Sequence, residues 1–346
     1  MLHDIIFLLL GLALLVLGAN YVTDGAVAVA KRFKVSNLVI GLTVVALGST
    51  LPDMVVCVES AFQHHPAIAV GEVIGSNIFD LLLVIGVMGV VRPWRVSDVM
   101  RRQDLPILFI ASAALWVAGD TVLFDGAAHN VVDRSAGIML LMIFAFYMWF
   151  MLLSSRSEQP EAAPTVATAP THGVASARTA RSEVAAVEAG FAVIKAKPWY
   201  SWLLIVIGLG ALVVGGNWVV DGAEGLALKV GMSQAMVALT VVAIGNALPD
   251  LVTSLTATLK GASGIALGNI VGSCIINALL SVGLSSLVIP LRADAIGFVD
   301  FATLAGAAAL LWLVPALMPS HRVSRLFGLL LILLYAAYMT FTIIRG

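Results

Sequence analysis

Ten predominantly apolar stretches constrain this chain more than any other feature. They run over 5–23, 37–62, 66–91, 105–119, 135–153, 200–219, 231–259, 262–290, 301–318 and 326–343. A hydrocarbon core ~30 Å thick takes about 20 apolar residues per helix, so each stretch is expected to be a membrane helix. The second, third, seventh and eighth are long and rich in Gly, Ser and Asn, which predicts broken or tilted helices. Hydrophobic residues make up 60% of the 346 and charged residues 11%. A soluble domain carries roughly 25% charged residues, so a water-soluble globule is excluded. A net charge of −1 argues against a nucleic-acid partner, which calls for a basic patch. Cys57 and Cys274 lie in apolar runs and offer neither a disulfide framework nor a zinc spacing. The first stretch has no basic residues before it and a sister in mid-chain, so it reads as a permanent helix rather than a secretory signal.

Charge between the stretches sets an orientation. With ten spans, fifteen of the nineteen Lys and Arg residues fall on one side, which the positive-inside rule places in the cytoplasm. A multi-pass protein of the plasma (inner) membrane is expected, with both termini outside. Residues 154–198 break the apolar pattern with an Ala-, Pro-, Thr- and Ser-rich run. They read as a flexible cytoplasmic linker with a short helix near 178–196, dividing the chain into 1–153, 154–198 and 199–346.

The flanking halves are copies. At a constant offset of 197, 31 of the 76 positions from Gly11 to Gly86 are identical without a gap. Five spans per half is an odd number, so the second half must insert upside down relative to the first. The fold expected is therefore all-α, with ten transmembrane helices in two inverted five-helix repeats. Inverted repeats of this kind mark secondary transporters, with the substrate near the midplane where the halves meet.

The best-matched segments are polar. Gly48-Ser49-Thr50-Leu51-Pro52-Asp53 recurs as Gly245-Asn246-Ala247-Leu248-Pro249-Asp250. Gly75-Ser76-Asn77-Ile78-Phe79-Asp80 recurs as Gly272-Ser273-Cys274-Ile275-Ile276-Asn277. Each Pro removes a backbone donor and frees the carbonyl four residues earlier. Such carbonyls are tolerated at membrane depth where they line a cavity or bind an ion. Helical spacing puts Ser49 and Thr50 on the face of Asp53, Asn246 on that of Asp250, Ser76 on that of Asp80 and Ser273 on that of Asn277. An Asp at the centre of a membrane helix costs roughly 2.5–3.5 kcal/mol on insertion scales. No Lys or Arg lies within these spans, so a bound cation, protonation or both must offset the charge. Carboxylate, amide, hydroxyl and carbonyl oxygens suit hard ions such as Ca²⁺, Mg²⁺, Na⁺ or H⁺. Calcium tolerates irregular oxygen shells better than magnesium, which tilts the reading toward calcium.

These doubled motifs resemble the α-repeats of the cation/calcium exchanger superfamily, which includes the sodium/calcium exchangers. The resemblance covers nearly the whole membrane portion. It implies exchange of Ca²⁺ for Na⁺ or H⁺ by alternating access, with two peripheral helices sliding over an eight-helix core. Carried over by position, Asp53 and Asp250 would be the central calcium ligands, with Ser49 and Asn246 beside them. Thr50, Ala46, Ala243, Ser76 and Ser273 would line sodium sites through side chains or carbonyls, and Asp80 and Asn277 would lie between those sites. The chain departs from the family pattern where Asp53 and Asp250 replace Glu, Ala247 lacks a hydroxyl, Cys274 stands for Asn, and Glu72 stands for Asn. The loss at Ala247 bears on one sodium site and hence on stoichiometry. Glu72 reads either as an extra cation or proton ligand or as a polar entrance residue.

Weaker candidates have plainer readings. Cys57 is expected to pack between helices, Glu59 to be an entrance charge, and His64-His65 to be solvated at an outer turn. Asp24 and Asp221, each followed by Gly, are expected to end helices one and six. Nothing resembles a nucleophile–base pair or a phosphate loop, so no enzyme activity and no resident cofactor are expected, only transported ions. The expected partners are the bilayer and inorganic cations, with oligomeric state open and a monomer among the options. Against the antiporter stand a proton-coupled or other-cation exchanger of the same fold, a passive cation channel, and a non-transporting membrane sensor.

Overall fold

A computed structural model describes residues 2–32, 50–98, 100–157, 198–259, 263–292, 296–317 and 322–345. Among them the chain is helical apart from two short strand pairs. The helices are α1 (Leu2–Arg32), α2 (Leu51–Phe62), α3 (Pro66–Val91), α4 (Leu105–Gly119), α5 (Arg134–Ser157) and α6 (Pro198–Val230). After them, α7 joins Gln234–Val237 to Ala243–Leu259, α8 joins Ser263–Ile276 to Val282–Val288, and α9 (Phe298–Leu317) and α10 (Arg325–Arg345) complete the chain. Seven of the described helices are long and apolar enough to cross a membrane. Of the expected linker, 154–198, residues 154–157 belong to α5 and Pro198 to α6, and 158–197 lie outside the described residues.

Starts are set by local chemistry. Pro52, Pro66, Pro106 and Pro198 occupy the first turns of their helices, where a missing N–H costs nothing. Ser233 caps α7 by accepting from the Met236 N–H at 3.2 Å. Asp133, outside the membrane segments, accepts from the Ala136 N–H at 2.7 Å and the Ser135 hydroxyl at 2.8 Å. Those bonds, the backbone one foremost, hold its carboxyl below the usual range and fix the start of α5.

Two expectations are corrected. Asp24 and Asp221 do not end their helices: α1 continues to Arg32 and α6 to Val230. Both acids are exposed on the helix surface, and the following glycines serve close packing instead of termination. A Cβ on Gly25 would lie 2.7 Å from the Ser201 carbonyl oxygen, and one on Gly222 would lie 2.9 Å from that of Asp4. Nor are three of the four long stretches broken: α3, α7 and α8 each stay continuous and widen into a π turn, at Phe79–Val84, Ala238–Val242 and Asn277–Ser281, while 37–49 of the second stretch lies outside the described residues.

Pairing of α1 with α6 follows from small residues. Gly11 meets Gly215, Gly18 meets Gly208 and Gly25 meets Ser201. Rising numbers on one helix meet falling numbers on the other, so the two run antiparallel. This pair has its own apolar cluster, in which Leu8, Leu15, Leu212 and Val219 pack with Val56, Ile68, Val237 and Val242. The larger core joins α2–α5 and α7–α10. The halves are also cross-strapped. Strand β1 (Trp94–Arg95) pairs antiparallel with β4 (Arg322–Val323), and β2 (Val131–Val132) with β3 (Leu291–Arg292). Buried Asp300 on α9 accepts from Arg345 at 2.7 and 3.3 Å and from the Tyr338 hydroxyl at 3.0 Å, tying α9 to the end of α10.

A side chain at Gly18 would stand 2.8 Å from the Gly208 carbonyl oxygen, whereas nothing lies within 4 Å of a Cβ at Gly210. Gly18→Leu is therefore expected to destabilise the detergent-solubilised protein by about 1–3 kcal/mol in thermal unfolding. Gly210→Ala should leave its melting temperature unchanged.

Candidate functional site

Asp53 lies in the first turn of α2, and Pro52 beside it donates no backbone hydrogen bond. Its Oδ2 accepts from the Asn277 amide at 2.5 Å, a bond that joins the two halves. Asn277 opens the π turn of α8, and Asp80 lies in the matching π turn of α3. A π turn adds a residue to one turn of helix and loosens the local hydrogen-bond ladder, which is why such turns gather at functional sites. Asn246, on α7, donates to Glu72 Oε1 at 2.9 Å.

Helix α7, which carries Asp250, packs against the π turn that carries Asp80, and α2, which carries Asp53, packs against the π turn that carries Asn277. Asp53 and Asp80 are buried and Asp250 is half-buried. Two other buried acids have basic partners: Asp300 has Arg345, and Asp4 has Lys229 at 2.6 Å. Amides of the second half bond Asp53 and Glu72, and no Lys or Arg is among the buried described residues. Oxygens on Glu72 (Oε2), Asp80 (Oδ1) and Asn77 (Oδ1) are buried without a hydrogen-bond partner, an arrangement that costs free energy unless something else fills it.

The remaining expected residues surround this centre. Thr50 is buried at the start of α2, and its carbonyl accepts from the Met54 N–H at 3.0 Å. Ser76 and Ser273 are buried, with hydroxyls donating to Val73 and Ile270 carbonyls on their own helices. Their lone pairs remain able to accept or to ligate. Ala243 is buried, and a Cβ on Gly75 would lie 2.7 Å from its side chain, so α3 and α7 approach closely here. Ser49 and Ala46 lie outside the described residues. No three His, Cys, Asp or Glu side chains among the described residues converge as a ready-made metal cage. The donor set is mixed: carboxylates, amides and hydroxyls from both halves.

Glu72 is not an entrance residue. It is fully buried and bonded within the acidic centre, because α3 is enclosed along its whole middle. His65 is not merely solvated either. Its ring nitrogens lie 3.2 Å from Gln234 Nε2 and 3.3 Å from Glu224. Cys57 packs between helices as expected, donating to the Ala69 carbonyl at 3.4 Å. It also accepts from the Ser285 hydroxyl at 3.1 Å, a contact that sequence reasoning missed. So was the bond from Asn77 Nδ2 to the Cys274 carbonyl at 3.0 Å. Those two positions are 197 apart, so positions equated by the repeat touch. The offset could have pointed to that pair.

Comparison with known proteins decides the family. The sequence profile of the sodium/calcium exchanger proteins matches residues 3–153 and 200–344. The chain belongs to the sodium/calcium exchanger family. It is 32% identical to the inner membrane protein YrbG of Escherichia coli (strain K12), over 84% of this chain and 82% of that one. It is 29% identical to the sodium/calcium exchanger MaX1 of Methanosarcina acetivorans, over 97% of each chain. Among solved structures, the sodium-calcium exchanger NCX_Mj soaked with 10 mM Na⁺ and 10 mM Sr²⁺ matches with a TM-score of 0.60 at 28% identity, over 98% of each chain. As a sodium/calcium exchanger family protein, the chain is a multi-pass membrane transporter, and the family is one of exchangers rather than enzymes.

Removing the Asn277 amide leaves a buried acceptor on Asp53 without its donor. Asn277→Leu is expected to cost about 1–3 kcal/mol, read as a lowered melting temperature in detergent.

Proposed function

We propose that this protein is a secondary-active antiporter that exchanges Ca²⁺ for Na⁺ or H⁺ across the plasma membrane. One observation carries the reading. Buried Asp53 and Asp80 and half-buried Asp250 come from helices of both halves that pack together, and no Lys or Arg is among the buried described residues. Buried carboxylates without a counter-charge default to ion pathways in membrane proteins. Either a divalent ion or the coupling ions neutralise the same groups, so the two cannot occupy the site together, and competition couples their fluxes.

In this reading the fold is two inverted five-helix repeats, 1–153 and 199–346, joined by a cytoplasmic linker, with both termini outside. The antiparallel contact of α1 with α6 and the Asn77–Cys274 contact support that symmetry. Asp53 and Asp250 are the central calcium ligands, with Ser49 and Asn246 beside them. Thr50, Ala46, Ala243, Ser76 and Ser273 line sodium positions, and Asp80 and Asn277 lie between. The α1–α6 pair, with its separate apolar cluster, is the unit that slides to expose the site to each side in turn.

The test is ⁴⁵Ca uptake into proteoliposomes with imposed Na⁺ or pH gradients. Saturable uptake that needs an opposing gradient is expected, and Asp53→Asn and Asp250→Asn should each abolish it. Full uptake by both variants would refute the site. Uptake driven by a pH gradient and indifferent to Na⁺ would assign the proton-coupled alternative. Non-saturating flux without a counter-ion would make the protein a channel.

A further inference from the structure

The repeat is symmetric in its helices and lopsided in its charge. Asp53, Glu72 and Asp80 all come from the first half. Their counterparts at offset 197 are Asp250, Asn269 and Asn277. Three acids thus face one acid and two amides, and the surplus charge at Glu72 is buried where the duplicate carries a neutral group.

Glu72 is fully buried. Its Oε1 is held by Asn246 Nδ2 at 2.9 Å, so a residue of the second half fixes its direction. Its Oε2 has no hydrogen-bond partner. Asp53 is buried on α2, which packs against α3, and is held by Asn277 of the second half as Glu72 is held by Asn246. Two buried carboxylates on neighbouring helices repel unless something positive joins them. Asn246 and Asn277 give each carboxylate one amide donor, which orients the acids but adds no charge.

We propose that Glu72 is a direct cation ligand, forming with Asp53 a paired-carboxylate subsite that favours divalent over monovalent ions. The inference rests on the antiporter reading and adds a specificity determinant to it. A divalent ion between Asp53 and Glu72 balances both charges, whereas one Na⁺ leaves one of two buried charges uncompensated. The hard oxygen pair suits Ca²⁺, which accepts crowded and irregular carboxylate shells. Asn246 then has a second role, holding Glu72 in place from the opposite repeat.

The full-length protein in detergent tests this with Ca²⁺ and Eu³⁺ as probes. Glu72→Gln keeps the length of the side chain and an oxygen to accept from Asn246, and removes the charge. It is expected to raise the Ca²⁺ concentration needed for half-maximal thermal stabilisation by at least about tenfold. Bound Eu³⁺, followed by luminescence decay in H₂O and D₂O, should gain about one water. In proteoliposomes the same variant should be inhibited by less Na⁺ than the wild type. Glu72→Asp should keep the divalent preference, and Glu72→Asn, the residue of the second repeat, replaces Glu72→Gln if that variant does not fold. Wild-type affinity and hydration in the folded amide variant would overturn the proposal while leaving the antiporter reading intact. A change confined to the pH profile would make Glu72 a proton carrier and also overturn it. If the wild type binds neither ion, the antiporter reading itself fails.

Discussion

Buried negative charge that no buried Lys or Arg offsets is the constraint on which this structure depends. Asp53, Glu72 and Asp80 are buried, and amides of the second half bond Asp53 and Glu72. Buried Asp300, by contrast, has Arg345. In the proposed reading, the contrast separates a structural acid from one whose counter-ion comes and goes, and a permanent Lys or Arg at the centre would occupy the place of the cargo.

Contacts between the halves surround that centre. Two strand pairs cross from one half to the other, and α3 and α8 meet at Asn77 and Cys274, positions equated by the sequence repeat. In the α1–α6 pair, glycine contacts bind the two helices to each other, and a second apolar cluster joins the pair to α2, α3 and α7.

Much of this was legible in the sequence, for physical reasons. Apolar runs of membrane length predict helices because lipid offers the backbone no other partner, and the offset of 197 exposes the duplication directly. The polar motifs stand out because acids are costly at that depth. What failed were inferences from single residues. Gly25 and Gly222 looked like terminators after Asp24 and Asp221, yet they are places where α1 and α6 touch. The π turns at Asp80 and Asn277 were illegible because Gly and Pro suggest a break, whereas tertiary packing kept the helices whole. Glu72 was misplaced because its depth depends on Asn246, 174 residues away.

The most direct measurement is the position of a heavy divalent ion in crystals of the protein soaked with Sr²⁺, located by anomalous scattering. The account predicts a peak bounded by Asp53 and Asp250, with oxygens from both halves around it. A peak confined to exposed acids such as Asp24 or Asp221, with none at the centre under saturating Sr²⁺, would contradict it.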